Sequence, residues 1–126
     1  MAKGTFVTAI NCMDGRVQLP VIEYLKNRFG VDYVDMITEP GPIKFLAEND
    51  DKTTVESIRK RVEISAVKHG SKVVAIVGHA DCAGNPVERD VQLEQIKKSM
   101  ELAKKWGLDA EFLGLFVNEQ WEVEEF

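Results

Sequence analysis

Two short segments of the chain could do chemistry together: Cys12-Met13-Asp14-Gly15-Arg16 and His79-Ala80-Asp81-Cys82. They contain both cysteines and one of the two histidines of a 126-residue sequence. Zinc takes thiolate sulfur and imidazole nitrogen in a tetrahedral shell, and three protein donors leave a fourth position open for water or substrate. Cys12, His79 and Cys82 supply that number and those donor types. His-x-x-Cys lets two side chains of one loop reach one ion, whereas Cys12 must be brought in by the fold. Either segment alone is a weak signal. Together they predict one zinc per chain, since sulfur-rich donor sets favour zinc over hard cations.

Asp14 and Arg16 form the next pair. Alternate residues beyond a strand end can both reach one crevice. A charge in a low-dielectric pocket is costly unless paired, and arginine grips a carboxylate with two parallel hydrogen bonds. The expected catalytic roles are that Asp14 orients or deprotonates metal-held water and that Arg16 holds Asp14. The alternative is a salt bridge that only shapes the turn. Asp81 either supports His79 or caps the turn that follows. His69 falls at a helix end.

These residues need elements to position them. Residues 5–11 (TFVTAIN) are apolar and β-branched and read as a buried strand. A helix follows from Leu19, with Pro20 in its first turn and Gly30 as its C-terminal cap. Residues 32–38 read as a second strand, ended by Pro40 and Pro42. Residues 53–69 read as a helix whose stripe is Val55, Ile58, Val62, Ser65 and Ala66. Residues 72–77 (KVVAIV) are the clearest central strand. A helix over 87–106 and a strand over 111–118 complete the chain.

The alternation β-α-β-α-β-α-β predicts a single α/β domain over 1–126, with a parallel-centred sheet and helices on both faces. If the strand order is 2-1-3-4, the first and third strands are neighbours. Ligands bind beyond the carboxyl ends of such strands, where the order reverses. Cys12 follows the first strand, and His79 and Cys82 follow the third, so all three meet in one crevice.

Composition narrows the function. A net charge of −5 disfavours a nucleic-acid or membrane-surface role, since both want a basic patch. No segment approaches the ~20 apolar residues of a membrane span. The opening Met1-Ala2-Lys3-Gly4 resembles no leader peptide, and two cysteines are too few for a secreted scaffold of this size. The expectation is a cytoplasmic protein acting on a small molecule.

The two segments, the second followed by Ala83-Gly84, resemble the zinc-site motifs of the β-carbonic anhydrases. The resemblance implies that Cys12, His79 and Cys82 bind zinc and that Asp14 and Arg16 form the family's catalytic dyad. It implies the sheet order 2-1-3-4, hydration of carbon dioxide to bicarbonate by a zinc-bound hydroxide, and a homodimer or higher homo-oligomer. It also implies that the aspartate can take the fourth zinc position once arginine releases it. The order of elements matches over nearly the whole chain. The chain departs from the family at Thr38-Glu39-Pro40-Gly41, where many members carry an Arg-Asn-Ala-Gly-like run, and at Gly15, where serine is common. It also lacks the family's usual N-terminal helical arm and C-terminal extension.

Other readings remain open. The same site could hydrolyse carbonyl sulfide or carbon disulfide. The domain could bind zinc without turnover, or Cys12 and Cys82 could form a redox disulfide. Phe6, Phe45, Phe112 and Phe116 read as core. Trp106 and Trp121 read as core or interface. The tail over 119–126 is expected to pack on a partner subunit or to fray.

Overall fold

The computed structural model describes residues 3–126. Met1 and Ala2, on which the reading of the N-terminus partly rests, lie outside the described residues. The elements run β1 (Phe6–Cys12), α1 (Gln18–Phe29), β2 (Tyr33–Glu39), α2 (Pro42–Glu48), α3 (Lys52–Glu63), β3 (Val73–His79), α4 (Arg89–Lys104), β4 (Glu111–Val117) and β5 (Val123–Glu125). A 3-10 turn over Gly15–Val17 precedes α1, and a π turn over Ile64–Lys68 follows α3.

The strands form one sheet in the order β2-β1-β3-β4-β5, parallel except for β5. The expected 2-1-3-4 order is therefore present, with one strand more. Alternation along the central strands divides the core between two faces. Val7 and Ala9 of β1 and Val73, Ala75 and Val77 of β3 pack with Val17, Val21 and Leu25 of the α1 segment. Ile10, Val74 and Ile76 point the other way, onto Ile43 and Leu46 of α2, Ile58 and Val62 of α3, and Ile96 of α4.

Three elements differ from the sequence expectation. The prolines that end β2 also start a helix: Pro42 opens α2, where a missing N–H costs nothing. The helix expected over 53–69 keeps its buried stripe at Val55, Ile58 and Val62, then widens into the π turn. That turn directs Ser65 inward to Thr8 and Asp35, at 2.5 and 2.6 Å. The third difference is the tail, which folds back onto its own sheet rather than fraying. Asn118 Oδ1 accepts from the amides of Gln120 and Glu122, both at 3.0 Å, and turns the chain back. β5 then pairs antiparallel with β4, Val123 opposite Val117. Its acidic residues find partners in the chain itself: Glu124 takes Arg89 at 2.8 Å, and Glu125 takes the Tyr24 hydroxyl at 2.5 Å.

The aromatic residues expected in the core are split. Phe116 is fully buried, whereas Phe6, Phe45 and Phe112 are partly buried. Trp106 packs at the edge of the α3–α4 core. His69 stacks on Phe6 at 4.3 Å and contacts Asp35 through Nδ1 at 2.6 Å. Phe6 begins the seven-residue strand that Cys12 ends, so His69 sits about 20 Å along β1 from the cysteine. That distance removes it from any proton path to Cys12.

Candidate metal centre

Cys12 is the last residue of β1 and His79 the last of β3, the two adjacent parallel strands. Cys82 lies in the loop after β3. The ligand atoms of the three lie within 4.8 Å of one another, and no other such cluster of His, Cys, Asp or Glu occurs among the described residues. All three side chains are buried.

The loops around them are tied down by side chains and close backbone contacts. Asn11 Nδ2 donates to the Val17 carbonyl at 3.1 Å, and Asn11 Oδ1 accepts the Cys12 amide at 2.9 Å. Gln18 Nε2 donates to the carbonyls of Cys12 and Asp14, at 2.7 and 2.9 Å. The β2–α2 turn comes in close behind. Gly41 has φ +67°, and a Cβ there would lie 2.8 Å from that of Asn85 and 3.1 Å from the backbone of Gly84. Only glycine satisfies both the left-handed conformation and this approach. On the far side Gln92 of α4 clamps the backbone of His79. Its Oε1 accepts the His79 amide at 3.0 Å, and its Nε2 donates to the His79 carbonyl at 2.8 Å.

The histidine itself is poised as a ligand. Nδ1 lies 2.7 Å from the Ala80 carbonyl, which can only accept, so Nδ1 carries the proton. Nε2 therefore presents a lone pair. It is buried and has no hydrogen-bond partner. Such an atom is costly to leave unmet, and a metal ion would satisfy it.

The sulfurs also fit an ion. Cys12 Sγ and Cys82 Sγ are 3.8 Å apart and unbonded. Two sulfurs about 2.3 Å from one tetrahedral zinc would stand about 3.8 Å apart. The contact with Cys82 draws the Cys12 pKa well down against the effect of burial, and the amides of Asp14 and Gly41 add to this. The same contact, with burial, pushes Cys82 up. A divalent cation removes the conflict, because a coordinating thiol is deprotonated outright.

Asp14 and Arg16 stand beside this cluster. Arg16 Nη2 donates to Asp14 Oδ2 at 2.6 Å, and Arg16 Nε to Oδ1 at 3.0 Å. The guanidinium holds the Asp14 carboxyl at a pKa of about 2. Asp81 performs neither of its expected roles. Its carboxylate reaches Arg16 Nη1 at 3.2 Å, and its carbonyl accepts from Arg16 Nη2 at 3.0 Å. Trp121, from the β4–β5 turn, lies against a face of the guanidinium, 4.6 Å from Arg16 Cζ to the ring centre.

Sequence reasoning missed Asn11, Gln18, Gln92 and Trp121. A signal existed for Gln92. It falls on the buried stripe Gln92, Ile96, Ser99 and Ala103 of α4, where a glutamine must find partners. Nothing in the sequence marked Trp121.

Fold and donor set thus define an α/β protein with a buried Cys2His cluster able to hold a metal at the carboxyl ends of adjacent parallel strands. A profile of the family described as "Putative carbonic anhydrase" matches residues 2–126. The chain belongs to the β-carbonic anhydrase family, as a divergent member. Among solved structures it is similar to a β-carbonic anhydrase isoform I from Trichomonas vaginalis, with TM-score 0.64 and 16% identity over 94% of this chain and 80% of that one. It is also similar to a carbonic anhydrase from Streptococcus mutans, with TM-score 0.55 and 14% identity over 94% and 80%. A third similar structure is a carbon disulfide hydrolase, with TM-score 0.51 and 13% identity over 94% and 76%. At these identities the likeness is one of fold. No curated protein matches the chain in sequence.

Proposed function

We propose that this protein is a zinc enzyme that hydrates carbon dioxide to bicarbonate, with Cys12, His79 and Cys82 as zinc ligands and 1–126 as its one domain. The observation that carries the reading is the buried, partnerless Nε2 of His79 within 4.8 Å of two free thiols. Bound zinc supplies the Lewis acidity that makes water a nucleophile near neutral pH. The chain's own residues do the rest. The Ala80 carbonyl fixes the histidine tautomer, and Gln92 fixes the position of its backbone. Asp14 is ionised across the working range and can only accept, so it orients a water by taking one of its protons in a hydrogen bond. Arg16 keeps both Asp14 oxygens engaged and sets their direction.

Two thiolates lend more negative charge than imidazoles would, so activity should rise from pH 7 towards pH 8.5. A homo-oligomer, at least a dimer, belongs to the same reading; exposed Leu19, Ile64 and Val67 offer apolar surface for it. So does a cytoplasmic, reducing setting, because both thiols must stay free. The likeness to a carbon disulfide hydrolase favours one second reading, the same site acting on that related electrophile. The test is stopped-flow hydration of carbon dioxide at pH 7 and 8.5, with carbon disulfide hydrolysis measured in parallel. Hydration that rises with pH and is lost in Asp14→Asn supports the proposal. Hydrolysis of carbon disulfide without hydration moves the assignment to the second reading.

A further inference from the structure

Arg16 organises the polar side of the site, yet 45% of its side chain is exposed. A long exposed side chain ordinarily keeps its rotamer freedom, so something must hold this one. Hydrogen bonds to Asp14 and Asp81 fix the edges of the guanidinium. The indole of Trp121 covers its face at 4.6 Å.

Backbone strain gathers at the same place. Among the described residues the non-glycine positions of positive φ are Asn49, Asp81 and Trp121, and the last two both contact Arg16. A bulky residue in the left-handed region is uncommon and persists only where its surroundings impose it. Here the Asn118 turn imposes it: the Trp121 amide donates to the Asn118 carbonyl at 2.9 Å, and Asn118 Oδ1 holds the amides on either side. Trp121 also packs on the α1-side core. The turn therefore spends an unfavourable conformation on placing a ring against an arginine.

We propose that Trp121 is a positioning residue: its ring holds the Arg16 guanidinium in the pose that engages both oxygens of Asp14, and so fixes the carboxylate beside the Cys12–His79–Cys82 cluster. Only the use made of Asp14 rests on the carbonic anhydrase reading; the hold on Arg16 does not. Without the ring, Arg16 keeps its ionic partners and loses the surface that restricts it, so it swings between Asp14, Asp81 and solvent.

The test uses the Arg16 Nε–Hε signal in 15N-labelled full-length protein, zinc-free and zinc-loaded, in Trp121→Leu and Trp121→Phe. An exposed cation–π contact corresponds to about a fivefold change in occupancy. Water exchange at Arg16 Nε should accordingly quicken about fivefold in Trp121→Leu and stay within about twofold in Trp121→Phe, which keeps a ring. The amides of Phe116 and Glu124 should be unmoved in both. In the hydration assay kcat should fall by a similar factor in Trp121→Leu at unchanged KM, and recover in Trp121→Phe. Unchanged exchange in Trp121→Leu would overturn the proposal, as would equal effects of leucine and phenylalanine, or loss of the β4–β5 amides. If the parent hydrates no carbon dioxide while Arg16 responds as expected, the enzymatic reading fails and the positioning role stands.

Discussion

Replacing Gln92 by leucine probes the support behind His79. Gln92 is 1% exposed and makes paired hydrogen bonds to the backbone of His79, accepting at 3.0 Å and donating at 2.8 Å. Leucine is close in volume, so the change opens little cavity. It strands one buried N–H and one buried carbonyl at the end of β3. Each such group costs about 1–3 kcal/mol, so the variant should lose about 3 kcal/mol or more. For a chain of this size that lowers Tm by about 10 °C. The assay is urea unfolding of zinc-free protein, where the midpoint should fall at unchanged slope. Zinc should also bind about 10–100-fold more weakly, because the ligand's mount has been loosened. A Gln92→Leu loss below about 1 kcal/mol, with zinc affinity unchanged, would refute the claim that this clamp sets His79.

Further outcomes follow from other contacts. Gly41→Ala should destabilise the protein and weaken zinc binding together, because its Cβ would meet Asn85 and Gly84 at a residue of φ +67°; thermal melting with and without zinc reads both effects. The Tyr24 hydroxyl holds the Glu125 carboxyl below its usual pKa, with Arg28 adding to it. Because the folded pKa is the lower one, this stability is present above the unfolded value of about 4.3 and is lost as pH falls through the folded one. Tyr24→Phe should therefore cost about 1–2 kcal/mol at pH 7 and less as the pH is lowered and Glu125 takes up its proton, measured by urea unfolding across the acid range.

The first four strands were legible because the central two are largely apolar and the helices between them amphipathic, so that part of the order survives without tertiary information. The convergence of Cys12, His79 and Cys82 followed from two strand ends, the order 2-1-3-4 and the rule that ligands bind where that order reverses. What escaped depends on contacts between distant segments. Pro42 reads as a strand breaker, and only the packing of Ile43 and Leu46 onto β1 and β3 makes the next turn helical. The tail looked like an acidic end seeking a partner, yet Arg28, Tyr24 and Arg89 of this same chain receive its carboxylates. Asp81 illustrates the limit most clearly. Its place between two ligands suggested service to His79, but its left-handed backbone turns it to Arg16, a contact 65 residues away in sequence.

The central claim is that Cys12, His79 and Cys82 together hold a catalytic zinc. It is tested most directly on protein purified without added metal, by zinc content and zinc-edge X-ray absorption, with hydration measured on the same sample. The account predicts about one zinc per chain and two sulfurs at about 2.3 Å from it, and it predicts that zinc and hydration are lost together in Cys82→Ser. Protein that carries no zinc and takes none up, or zinc with no sulfur neighbours, would contradict it.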